Sequence, residues 1–306
     1  MLTITSVHEM QSWVDAQRAA GKRIGLVPTM GYLHAGHLSL VAQAGERSDV
    51  VVASIFVNPL QFGANEDLSR YPRNIEGDTR LLDAAGAAVL FLPSVNEMYP
   101  EGYQTAVSVD LVTQGLCGAS RPTHFRGVTT VVAKLFNMTK PHVAVFGAKD
   151  FQQLVAIRRM VADLNFGIEI VGAPIVREAD GLAMSSRNAY LSPDERRAAL
   201  CLSRALAASC HLVEQGERDA LRIVGAARRV IAEEPLARID YVSLVDADNL
   251  QQVTELQRPA LLALAVGFGK TRLIDNCVLS QRSTVESQQP SEPTENTLDC
   301  KLSTVD

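Results

Sequence analysis

Apolar residues follow two rhythms along this chain. Short runs such as Ile24-Gly25-Leu26-Val27 and Val50-Val51-Val52-Ala53 are apolar at successive positions, as in strands buried on both faces. Between them lie longer stretches with apolar residues three and four apart, the period of a helix packed on one side. This pattern predicts strands over 23–27, 50–57, 88–92, 142–146 and 167–171. Helices are predicted over 37–47, 74–85, 125–138 and 150–164. Such β-α alternation implies a parallel sheet covered on both faces, with ligands at the carboxyl ends of its strands.

The rhythm changes after about residue 178. Ser192-Pro193-Asp194-Glu195 reads as a helix start, with Ser192 as N-cap, Pro193 first and Glu195 third. Alanine-rich helices follow over 193–215 and 218–234, then strand-like segments at 239–245, 260–266 and 272–274 that predict a small antiparallel sheet. The expected organisation is an α/β domain over 1–178, a smaller α+β domain over 179–279 and a polar, disordered tail over 280–306.

Composition narrows the function classes. The 306 residues are 47% hydrophobic, enough for a sizeable core, and the net charge of −5 with no dense basic run argues against nucleic-acid partners. Five cysteines without a CxxC pair predict neither a disulfide framework nor a structural zinc site. The opening residues lack a signal-peptide pattern, and no apolar run approaches the ~18 residues of a membrane span. A cytoplasmic protein is expected.

Candidate chemistry gathers where predicted strands turn into helices. In PTMGYLHAGH, residues 28–37, Gly31 and Gly36 let backbone approach an anion, and a helix N-terminus attracts phosphate. His34 and His37 could donate hydrogen bonds to a triphosphate; surface histidines and a two-histidine metal site are the alternatives. FVNPLQF places the neutral amides Asn58 and Gln61 after the second strand, suited to a small hydroxylated carboxylate or to their own loop. Arg73 reads as a surface charge, and Asp78 as a magnesium-side carboxylate or a solvated helix acid. SRPTHFRG offers Arg121, His124 and Arg126 to an anion, or Thr123 as a helix cap. FGAKDFQQ offers Lys149 to phosphate, Asp150 as a possible cap and Gln153 one turn further on. In MSSRN, Ser185, Ser186 and Arg187 form a plausible anion clamp, or a linker held by turn bonds.

In this order, PTMGYLHAGH, FVNPLQF, YPR, SRPTHFRGV, FGAKDFQQL, VREADGLAMSSRNAYLS and GKTRLIDN make the chain resemble the pantothenate synthetase family, over about residues 24–276. That family is related to nucleotidyltransferases bearing an HxGH element. The resemblance implies a Rossmann-like N-terminal domain with a C-terminal lid, a homodimer, and ATP-dependent joining of pantoate to β-alanine with Mg2+. It implies that His34, His37, Lys149, Ser185, Ser186 and Arg187 hold the triphosphate and stabilise the transition state. Met30, Gly147, Asp150 and Met184 complete the ATP site, and Gln61, Gln153, Asn58 and Arg121 the pantoate site. Magnesium ligands are not implied. Ala148 and Phe151 depart from common family residues, at positions the chemistry does not need. Competing readings are a nucleotidyltransferase that leaves the nucleotide on its product and a silent nucleotide-binding regulator. A tRNA-charging enzyme is disfavoured by the acidic balance and by the lack of an evident anticodon-binding extension.

Overall fold

The computed structural model describes residues 1–64 and 66–280, so the expected disordered tail lies outside the described residues apart from Ser280. Contacts divide the chain into two compact units. The first comprises Met1–Val176 and Met184–Ala189, the second Arg177–Ala183 and, of the described residues, 190–280. A single boundary at 178 therefore does not describe the packing. Residues 184–189 pack with the first unit because Met184 N–H donates to the Val176 carbonyl and the Ser186 hydroxyl to that of Tyr32.

The elements of the first unit run β1 (Leu2–Ile4), α1 (Val7–Ala19), β2 (Ile24–Thr29), α2 (Ala35–Gly45), β3 (Val50–Ile55), α3 (Ile75–Ala84) and β4 (Val89–Phe91). The short α4 (Val95–Met98) and α5 (Cys117–Ser120) follow, then α6 (His124–Thr139), β5 (Val143–Gly147), α7 (Phe151–Asp163) and β6 (Glu169–Ala173). All six strands are parallel, in the order β1-β4-β3-β2-β5-β6. Successive residues alternate between two cores. Ile24, Leu26, Val52, Phe91 and Phe146 face α1, α6 and α7. Val27, Val51, Ala53, Leu90 and Val145 pack with Leu40, Val41 and Ala44 of α2 and Leu82 of α3. Burial on both sides explains the unbroken apolar runs.

The sequence pattern missed β1 and α1. β1 is a three-residue edge strand with one buried side chain, too short to show a period. The signal for α1 was readable. The Ser6 hydroxyl accepts from Glu9 N–H at 3.2 Å, and Met10 and Val14 lie one turn apart in the core.

Strand order reverses between β2 and β5, which are neighbours although far apart in sequence. From β2 the chain winds one way through β3 and β4, and from β5 the other way to β6. The connections leave a crevice at the carboxyl ends of β2 and β5, where open α/β sheets take ligands. PTMGYLHAGH leaves β2 there, and FGAKDFQQ leaves β5.

The second unit contains α8 (Pro193–Ala198), α9 (Cys201–Glu214), α10 (Ala220–Ala232), β7 (Ala237–Asp246), β8 (Ala260–Phe268) and β9 (Thr271–Leu279). The strands form an antiparallel sheet in sequence order. Leu202, Leu206 and Ile223 from the helices share one core with Leu244, Leu262, Leu264 and Phe268 from the sheet. The expected capping box at Ser192 is present: Ser192 N–H donates to Glu195 Oε2 at 2.9 Å, and Glu195 N–H to Ser192 Oγ at 3.3 Å. The helix expected over 193–215 is broken at residues 199–200 into α8 and α9. Among the described residues no helix is long and apolar enough to cross a membrane.

Candidate active site

One cavity of the first unit opens at the crevice between β2 and β5, and every residue that the family resemblance assigned to the ATP and pantoate sites lines it, whereas Gly31, Arg73, Asp78 and Arg126 do not. Met30, His34 and His37 come from the β2–α2 passage, and Asn58 and Gln61 from the turn after β3. Arg121 comes from the approach to α6, and Gly147, Lys149, Asp150 and Gln153 from the β5–α7 passage. Met184, Ser185, Ser186 and Arg187 come from the returning segment.

The β2–α2 loop is held in a costly conformation. Gly31 has φ +82° and Tyr32 has φ +53°, a region that a bulky aromatic residue seldom adopts. Asp78 of α3 supports it: its carboxylate accepts Tyr32 N–H and Leu33 N–H, each at 2.8 Å. Asp78 is only 2% exposed, so it is neither a solvated helix acid nor a magnesium-side carboxylate; both oxygens serve the loop. The bend delivers His34 to the N-cap of α2 and His37 to its first turn, with ring centroids 4.1 Å apart.

Geometry sets the His37 tautomer. The backbone N–H of His34 donates to His37 Nδ1 at 3.3 Å, so Nδ1 is an acceptor and the neutral ring carries its proton on Nε2. Desolvation lowers the His37 pKa to about 3, helped by His34 and then by the Lys149 charge. The ring is therefore neutral near pH 7 and donates through Nε2. With the α2 N-terminus beside it, this corner offers hydrogen bonds and positive potential to an anion.

The amide corner has a layered arrangement. Asn58 is 1% exposed and fully engaged: Nδ2 donates to Gln61 Oε1 at 3.1 Å and to the Gly127 carbonyl at 3.0 Å. Its Oδ1 accepts Leu60 N–H at 3.3 Å and the Tyr99 hydroxyl at 2.8 Å. Asn58 thus positions Gln61, and both of its amide hydrogens are used within the protein. Gln61 Nε2 reaches Met30 Sδ at 3.2 Å, joining the two corners. Of the two adjacent glutamines on α7, Gln152 is buried and occupied by Cys117 N–H and the Val112 and Gly115 carbonyls. Gln153 faces the cavity, as expected from its place one turn into the helix.

His124, offered to an anion from sequence but given no role by the family resemblance, lines the cavity. Its Nδ1 lies 2.9 Å from the Gln61 carbonyl, which can only accept, so the proton sits on Nδ1 and Nε2 is left as an acceptor. Burial, then the Arg121 charge, lowers its pKa to about 4. Neither Thr123 nor Asp150 makes a side-chain cap bond to the helix it precedes, so both capping alternatives fail. Arg73 is exposed and bonded to the Tyr71 and Leu68 carbonyls, consistent with a surface charge.

The two cavity arginines have carboxylate partners that no sequence signal announced. Arg121 Nε donates to Glu66 Oε1 at 2.7 Å. Arg187 forms a two-pronged pair with Asp67, Nε to Oδ2 at 2.9 Å and an Nη to Oδ1 at 3.1 Å, with its guanidinium 5.5 Å from the Tyr71 ring centre. Burial opposes charge on Asp67 and Arg187, but the pairing wins, lowering the Asp67 pKa and raising that of Arg187. Glu66 and Asp67 sit in a polar loop whose pattern resembles any solvated turn.

A profile of the family described as Pantoate-beta-alanine ligase matches residues 2–278. The chain belongs to the pantoate-beta-alanine ligase family. It is 60% identical over 279 residues to the pantothenate synthetase of Heliobacterium modesticaldum (strain ATCC 51547 / Ice1), covering 91% of this chain and 99% of that protein. The crystal structure of pantothenate synthetase from Thermus thermophilus has a TM-score of 0.86 and 48% identity, over 90% of this chain and 99% of that one. Pantoate-beta-alanine ligase from Francisella tularensis, complexed with beta-gamma ATP and beta-alanine, has a TM-score of 0.75 and 32% identity, over 91% and 97%. Not every motif that marks a pantoate-beta-alanine ligase here lines the cavity. Arg177 of VREADG and Asp275 of RLIDN form a buried two-pronged ion pair in the second unit, at 2.7 and 2.9 Å.

Proposed function

We propose that this ligase forms pantothenate in two steps at the β2–β5 cavity, through a pantoyl adenylate, with release of pyrophosphate and then AMP. The observation that carries the reading is the wall chemistry: His34, His37, Lys149 and Arg187 share one cavity with the amides of Gln61 and Gln153. The first set suits a triphosphate, and the second a hydroxylated carboxylate. In the Francisella relative the same family binds beta-gamma ATP and beta-alanine, which supports ATP and β-alanine as substrates here.

A carboxylate is a poor acyl donor because an oxide is a poor leaving group. Attack by a pantoate carboxylate oxygen on the α-phosphorus expels pyrophosphate and leaves a mixed anhydride. The β-alanine amine then attacks its carbonyl carbon, and AMP departs. Both steps need placement and charge stabilisation more than a protein nucleophile. His37 donates from Nε2 to a phosphate oxygen, and His34 and the α2 N-terminus add to the same field. Lys149, Ser185, Ser186 and Arg187 hold the phosphates. Met30, Gly147, Asp150 and Met184 line the nucleotide side; a Cβ on Gly147 would meet nothing within 4 Å, so there is room beside its backbone. Gln61 and Gln153 orient pantoate, Asn58 acts through Gln61, and Arg121, shared with Glu66, attracts a substrate carboxylate.

Magnesium fits this wall in one way. Among the described residues no cluster of three or more His, Cys, Asp or Glu could hold a metal, and Asp150 is the one carboxylate lining the cavity. That donor set suits an ion bound chiefly by phosphate oxygens, with Asp150 nearby, and the ion would neutralise phosphate charge. Family resemblance also supports a homodimer, which sedimentation would test.

Pyrophosphate–ATP exchange tests the reading. Exchange that needs pantoate but not β-alanine is expected. AMP formation only with both substrates present, and no exchange, would point to a concerted route or to tightly held pyrophosphate, and no AMP under any condition would refute the reading. His37→Ala should lower kcat about 10²–10³-fold, the usual cost of one transition-state donor. Unchanged turnover would remove His37 from the mechanism.

A further inference from the structure

Two cysteines that no motif pairs meet in the second unit. Cys210 stands on α9 and Cys277 on β9, 67 positions apart, with their sulfurs 3.6 Å from each other. Both are partly exposed, whereas Cys117 and Cys201 are buried. Both pack on a single apolar cluster that includes Leu206 and Val213 of α9 and Leu273 and Leu279 of β9. The framework around the thiols is thus set by core packing, about one turn of helix to either side of Cys210 and within four residues of Cys277 along the strand. A disulfide needs sulfurs about 2.05 Å apart. The sulfurs stand at van der Waals contact, roughly 1.5 Å beyond that bond length. Neither thiol lines the cavity, so the proposed ligation makes no use of them.

We infer that Cys210 and Cys277 are a reversible dithiol–disulfide site, closed by small disulfide oxidants of the glutathione class. One protein thiolate attacks a sulfur of oxidised glutathione, forming a mixed disulfide and expelling one glutathione thiolate. The second protein thiol loses its proton, attacks the protein sulfur of that mixed disulfide and expels the other. Two protein thiols are oxidised by two electrons, one glutathione disulfide is reduced to two thiols, and both protons end on glutathione. The product staples α9 to β9 and closes a long loop in the unfolded chain, which favours the folded state.

The test uses the full chain, incubated with reduced or oxidised glutathione, then alkylated under denaturing conditions and mapped by mass spectrometry. Oxidised wild-type protein should lose two of its five alkylatable thiols and yield a Cys210–Cys277 cross-linked peptide. Its denaturation midpoint should rise, and dithiothreitol should reverse both changes. C210S and C277S should give no cross-link and no such rise. Five thiols retained under oxidised glutathione, or a cross-link through Cys117, Cys201 or Cys300 instead, would overturn the inference. The wild-type result stands by itself if a serine variant fails to fold.

Discussion

Gly127 is the most exacting test of how the amide corner is built. It lies in α6, where the turn after β3 crosses the helix with no room for a side chain. An added Cβ would meet the Leu60 carbonyl oxygen at 2.3 Å, its carbon at 2.4 Å and the Gln61 nitrogen at 2.5 Å. All three are backbone atoms and cannot rotate away. Ordinary contact begins near 3.4 Å, so Gly127→Ala must push the turn by roughly 1 Å, a misplacement that can cost about 10²-fold in rate. The turn carries Gln61, and Asn58 is bonded to the Gly127 carbonyl itself. Overpacking should cost about 1–3 kcal/mol, partly offset by about 1 kcal/mol from the better helix propensity of alanine. The variant should therefore fold, with a modestly lower midpoint. Steady-state kinetics with pantoate varied should show kcat/KM reduced about 10²-fold, while KM for ATP changes little. Folded G127A with wild-type kcat and KM for pantoate would refute the positioning argument.

Asp78→Asn keeps the shape but puts an amide group against one of two N–H donors. It should cost about 1–3 kcal/mol in urea denaturation and raise KM for ATP by loosening the His34 loop; unchanged values would show that Asp78 does not support the loop. Histidine burial should make the ligand-free protein acid-sensitive. Below the ordinary value near 6.5 the unfolded chain binds protons that folded His124 and His37 resist until about pH 4 and 3. Stability should fall from pH 6.5 downward, by up to about 1.4 kcal/mol per pH unit for each histidine, with no contribution from either above that value. Between pH 6.5 and 5, H124N should show a shallower slope than wild type; equal slopes would deny that His124 is buried neutral. In the second unit Asp275→Ala should cost about 3–5 kcal/mol by stranding the buried Arg177 charge, whereas replacing both partners with apolar residues should be nearly neutral in thermal denaturation. Equal losses would assign the effect to packing.

The sequence by itself determined the parallel sheet, most helices on it, and the segments that carry the cavity. Those are local facts: unbroken apolar runs mark strands buried on both faces, and an N-cap or a glycine acts on its own neighbours. Family resemblance then rested on the order of seven short motifs. What tertiary structure decided is pairing across distance. Nothing within the loop at 63–67 tells that Glu66 and Asp67 face Arg121 and Arg187, since charges 55 and 120 positions apart leave no periodic trace. The same holds for Asp78 beneath a loop 45 and 46 positions earlier. Tautomers of His37 and His124 depend on which backbone group each ring nitrogen meets, and the Asn58 amide is shared among four neighbours that its sequence surroundings do not announce. Side-chain identity proposes a chemistry, but hydrogen-bonding capacity is finite, and only the folded neighbourhood shows how much of it remains for a substrate.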